Sequence, residues 1–127
     1  MGTLVALNSI ITNNLNPDYS SFFFASILFY LFFEVFFSFV RKAIKKKSPV
    51  LPDNKHLHML TYEKVSLIFG KDKGNYMNSI IINAAYLLLI LPAIIFSKDP
   101  MISKYWFFSL LTIYLLTYIR LYHLTKN

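Results

Sequence analysis

The chain has 127 residues, of which 56% are apolar and 18% aromatic, while charged residues make up only 15%, below the ~25% carried by soluble domains. It carries a net charge of +7 and no cysteine, which removes disulfides, thiolate metal sites and cysteine nucleophiles together. Its aromatic side chains lie mostly in long apolar runs and not among the lysines, so the positive charge lacks the interleaved pattern of a nucleic-acid surface.

Run length, and not periodicity, is the structural signal. Residues 1–15 are apolar but short, ending in Asn13, Asn14 and Asn16 before Pro17 and Asp18; they read as a partial span, the last part of a helix whose upstream turns precede residue 1. No basic n-region or small-residue cleavage site marks a signal peptide, and Ala6 stands where a myristoylation motif wants Ser or Thr. Residues 22–40 are interrupted by a single charge, Glu34, and match the ~20 residues that a helix needs to cross a hydrocarbon core. A full span over 20–44 with a basic end is therefore expected. Residues 45–77 read as a polar loop. Residues 78–97, with Pro92 near the end, and 101–124 read as two further spans, separated by Lys98, Asp99 and Pro100 in a tight helical turn. The expected fold is an all-α polytopic membrane protein with three full transmembrane helices, one partial N-terminal helix and a basic loop.

Orientation follows from the basic residues. Nine of the thirteen Lys and Arg residues fall between positions 41 and 77: Arg41, Lys42, Lys45, Lys46, Lys47, Lys55, Lys64, Lys71 and Lys73. The positive-inside rule makes that loop and the C-terminus cytoplasmic and the turn at 98–104 external. Tyr105 and Trp106, at the start of the last span, read as an interfacial anchor.

Chemistry concentrates in residues 47–60. Lys55, His56 and His58 lie within a few residues of a basic helix end, with Asp53 positioned to cap whatever follows. Lys supplies a point charge and His a donor whose charge adapts near neutrality, a combination suited to an anionic ligand. His56 and His58 share a face of an extended segment but lie about 200° apart around a helix, so joint use requires a loop. On spacing alone, two solvated loop histidines remain an equal reading. Glu34 is the other candidate, because an intramembrane carboxylate generally faces a protein interior; a packing contact and a functional role are both open for it. Lys45, Lys46 and Lys47 read as setting orientation and binding anionic lipid.

The run Phe-Phe-Glu-Val-Phe-Phe-Ser-Phe-Val-Arg-Lys at 32–42, followed by Lys-Ser-Pro-Val-Leu-Pro-Asp-Asn-Lys-His-Leu-His at 47–58, resembles the C-terminal portion of the bacterial polyprenyl-phosphate N-acetylhexosamine-1-phosphate transferases. The peptidoglycan translocase is a relative of that family. The order of motifs and the two closing helices match across nearly the whole chain. Met59 departs from the pattern, standing where a His-x-His-His motif has its final histidine.

The resemblance implies transfer of a sugar-1-phosphate from a UDP-sugar to undecaprenyl phosphate, with Mg2+, at the cytoplasmic face of the bacterial plasma membrane. It implies substrate binding by His56, His58, Asp53, Lys55, Arg41 and Lys42. The family's catalytic and metal-binding aspartates would lie upstream of residue 1, so no catalytic or metal-ligating residue is expected in this chain. It reads as a C-terminal piece that is inactive alone, either a truncated reading frame or one half of a split enzyme whose N-terminal half is a separate chain. The rival expectation is a small non-enzymatic membrane protein that binds anionic lipid or scaffolds partner helices.

Overall fold

The computed structural model describes residues 2–46, 48 and 55–126, and every regular element among them is α-helical: α1 (Gly2–Leu15), α2 (Ser21–Ile27), α3 (Phe29–Ile44), α4 (Leu57–Ile95) and α5 (Pro100–Lys126). α4 and α5 are each long and apolar enough to cross a membrane, as expected for residues 78–97 and 101–124.

The expected single span over 20–44 is instead two helices, α2 and α3, bent by 71° at Leu28. Two helices among the described residues therefore qualify as spans, or three if the bent pair counts as one. Two contacts, one within α2 and one from α4, account for the break. Ser26 Oγ donates back to Phe22 O at 2.8 Å, a contact that bends helices. The hydroxyl of Tyr86, from α4, donates to Ile27 O at 2.5 Å, where a foreign side chain takes up a carbonyl of the helical ladder. Hydropathy registers neither contact, so the run of phenylalanines looked continuous.

The larger departure is in residues 45–77. In place of an extended polar loop, the chain is helical from Leu57 onward. α4 is itself two helical arms, 57–69 and 71–95, joined at Gly70 with φ 78° and ψ 162°, a conformation that a side chain would strain. The arms fold against each other. A Cβ added to Gly74 would sit 2.9 Å from Ser66 Cα, and Asn78 Nδ2 donates to His58 O at 3.1 Å. Leu57, Leu60 and Val65 are buried along the first arm, while Leu67 and Ile68 near the tip stay exposed at 78% and 76%. The helical spacing of the buried three was masked in the sequence by their charged neighbours.

The core is aromatic: Phe29 and Phe33 from α3 meet Leu57 from α4 and Leu110 and Tyr114 from α5. α5 is started by Asp99, whose Oδ1 accepts from the amides of Met101 and Ile102 at 2.9 Å each, with Pro100 in the position that needs no amide donor. Ser20 N donates to Ser97 O at 2.8 Å, and Lys98 Nζ lies 5.4 Å from the Tyr19 ring centroid, so this turn also anchors the start of α2. Tyr105 is exposed. Trp106 Nε1 donates to Leu89 O of α4 at 3.1 Å, so the ring pins α5 to α4. α1 touches the rest through Asn13 and Ser21, whose side chains exchange hydrogen bonds at 3.2 and 3.3 Å.

Candidate functional site

The basic end of α3, the first turn of α4 and the far end of α5 converge at one end of the bundle, level with Asn78, where the apolar run of α4 begins. Glu34 lies at the centre and is only 8% exposed. Its Oε1 accepts from Leu57 N at 2.9 Å, and its Oε2 lies 2.7 Å from His56 Nδ1. His58 Nδ1 approaches Oε1 at 3.9 Å, and the two imidazoles stack at 5.5 Å between centroids with planes 13° apart.

Local backbone explains how two histidines, expected to be incompatible with a helix, act together. His56 is the residue before α4, in extended conformation (φ −69°, ψ 152°), and only His58 lies inside the helix. The pair therefore straddles the loop-to-helix junction. The side chain of His56 makes no capping hydrogen bond to the helix start. The amide of Leu57, one of the groups left without a partner at any helix start, is satisfied from across the bundle by Glu34, whose negative charge also suits the positive end of the helix dipole.

A second connection runs through Tyr118 of α5. Arg41 Nη1 donates to Tyr118 Oη at 2.6 Å, with the guanidinium 5.4 Å from the same ring centroid, and Tyr118 Oη donates to Lys55 O at 3.0 Å. The ring belongs to a column. Phe37 and Tyr114 stack at 5.3 Å, Tyr114 and Tyr118 at 6.3 Å, and Tyr118 and Tyr122 at 6.1 Å, with planes 15° to 16° apart. Further along, Lys64 Nζ donates to Leu124 O, tying the first arm of α4 to the end of α5. Beside the cluster lies an apolar cavity of about 420 Å³ bounded by Tyr30, Leu57, Thr61, Tyr86, Tyr114 and Thr117 among others. Oδ1 of Asn78 is buried with no hydrogen-bond partner among the described residues.

The chain matches no family model, no curated protein and no solved structure.

Of the residues singled out in the sequence, Arg41, Lys55, His56 and His58 are brought together, and Lys42 is half-buried beside Arg41 at the end of α3. Asp53 lies outside the described residues, so its expected capping role is not part of the site as seen; the observed group on the first turn of α4 is Glu34. Tyr118 and Asn78 were not anticipated. The only available signal was the four-residue spacing of Tyr114, Tyr118 and Tyr122, which puts them on one helix face.

The described residues do not fit the magnesium ion implied by the resemblance. No group of three or more metal-binding side chains occurs among them, both oxygens of Glu34 are engaged, and Glu63 and Asp72 stand exposed on the hairpin. Magnesium prefers carboxylates combined with substrate phosphates in octahedral array. What the cluster can do is present cationic and hydrogen-bonding groups to an oxyanion at the edge of an apolar bundle.

Proposed function

We propose that this chain is the substrate-binding C-terminal portion of a membrane glycosyl-1-phosphate transferase, moving a sugar-1-phosphate from a UDP-sugar to undecaprenyl phosphate for cell-envelope polysaccharide synthesis. The observation that carries the reading is the gathering of His56 and His58 at Glu34, next to a Tyr118 hydroxyl that links Arg41 to the main chain of Lys55, beside an apolar cavity. That pairing of oxyanion donors with an apolar cleft suits a lipid phosphate, whose head and tail need opposite surroundings. In this reading the cluster faces the cytoplasm, because the basic residues gather at that end. A separate N-terminal half supplies the aspartates, and with them any magnesium ion.

Two assays test the proposal. With undecaprenyl phosphate, UDP-sugar and magnesium, the chain alone gives no lipid-linked product above empty membranes. Assembled with an aspartate-bearing N-terminal half, it gives product, and His56→Ala or His58→Ala lowers turnover about 10²-fold or more, the scale of losing one donor to a developing phosphoryl charge. Wild-type rates in both variants would remove the histidines from the reaction. The rival reading, a non-enzymatic protein that binds anionic lipid, draws on the lysines at the end of α3 and predicts vesicle binding indifferent to both substitutions.

A further inference from the structure

Phosphate recognition by His56 and His58 leaves Glu34 without a part, yet a buried carboxylate persists only where specific partners hold it. Its partners are two adjacent donors, the ring Nδ1 of His56 and the main-chain amide of Leu57, each on its own carboxylate oxygen at 2.7 and 2.9 Å. One hydrogen bond would let the ring swivel about the contact. The second, one residue along a backbone already fixed as the first turn of α4, removes that freedom. A carboxylate that is ionised only accepts, and against such a group the proton at this contact resides on Nδ1. Nε2 is on the opposite edge of the ring and points away from Glu34, and the side chain is 28% exposed. His58 differs: its Nδ1 is 3.9 Å from the carboxylate, too far for a hydrogen bond, and its side chain is 49% exposed.

We infer that Glu34 is a positioning residue that fixes His56 with Nδ1–H on the carboxylate and Nε2 turned outward to meet an oxygen of a phosphate ligand, while His58 keeps its choice of tautomer. The ligand rests on the proposed function; the tautomer does not.

The full chain, labelled with nitrogen-15 histidine in lipid nanodiscs, is examined by long-range proton–nitrogen correlation at a pH where the rings are neutral, with H58Q and H123Q assigning the signals. His56 is expected as a single Nδ1–H tautomer and His58 as a mixture. In Glu34→Gln, whose carboxamide offers one acceptor oxygen to two donors, His56 should no longer be held as the Nδ1–H tautomer alone. A wild-type His56 that is Nε2–H, or a mixture, overturns the inference without recourse to any variant. In the enzyme assembled with its N-terminal half, Glu34→Gln is expected to lower kcat about tenfold or more, the scale seen when a carboxylate orienting a histidine is lost, with KM for the UDP-sugar little changed. Full activity in that variant overturns the positioning role. An inactive wild-type assembly counts against the transferase reading, and the tautomer then decides this inference by itself.

Discussion

Replacing Gly74 with valine should open the hairpin of α4. A Cβ at this position would lie 2.9 Å from Ser66 Cα and 3.0 Å from its Cβ. Backbone cannot swing aside as a side-chain tip can, so the arms must separate by about 0.5 Å to reach ordinary contact, and valine adds two methyl groups beyond that. Overpacking of this kind costs about 1–3 kcal/mol. Against it stands the poor helix propensity of glycine, whose replacement by valine returns only about 0.4 kcal/mol. The two effects have opposite signs, and packing should win. At about 1.4 kcal/mol per factor of ten, the remaining ~0.6–2.6 kcal/mol should make local opening of 57–69 roughly 3- to 70-fold more frequent, read as faster amide hydrogen exchange in that arm by mass spectrometry of the chain in nanodiscs. Asn75→Val, at an exposed neighbouring position, controls for the change in propensity and should leave exchange within about twofold. If Gly74→Val leaves exchange unchanged or slows it, the arms are not packed and residues 57–77 are the solvated segment that their charge suggested.

Two further outcomes are expected. Tyr86→Phe removes the hydroxyl that takes Ile27 O and should cost about 1 kcal/mol, lowering the thermal midpoint of the detergent-solubilised chain; Tyr76→Phe, at a side chain 70% exposed, should not. Because the chain has no cysteine, Lys45→Cys and Lys98→Cys report orientation cleanly. A membrane-impermeant maleimide should reach the first only from the cytoplasmic side and the second only from the other, and the reverse pattern would invert the topology.

What was legible in the sequence follows from which physical signals are additive along a chain. The apolar content of residues 79–96 and 105–119 sums over a window, so the second arm of α4 and most of α5 are found by counting, and Asp99-Pro100 announces the start of α5 through local chemistry. The break at Leu28 and the hairpin at Gly70 depend on contacts between distant residues, Tyr86 with Ile27 and Gly74 with Ser66, and no window over one segment contains them. The histidine pair was found by residue type but judged by the wrong geometry, since helix and loop had been treated as exclusive when His56 and His58 sit on either side of the boundary. Glu34 was noticed as anomalous, but its two partners lie 22 and 23 residues away, and only the fold could name them.

The column of rings from Phe37 through Tyr114 and Tyr118 to Tyr122 acts as a splint. The hydroxyl of Tyr118 accepts from Arg41 of α3 and donates to the main-chain carbonyl of Lys55, just before α4, so three segments meet on one oxygen of α5. α3 cannot slide along α5 without giving up that contact, and neither can the residues that lead into α4. A shear between the helices is therefore resisted at one point by all three segments, and the histidines follow α5 as one body.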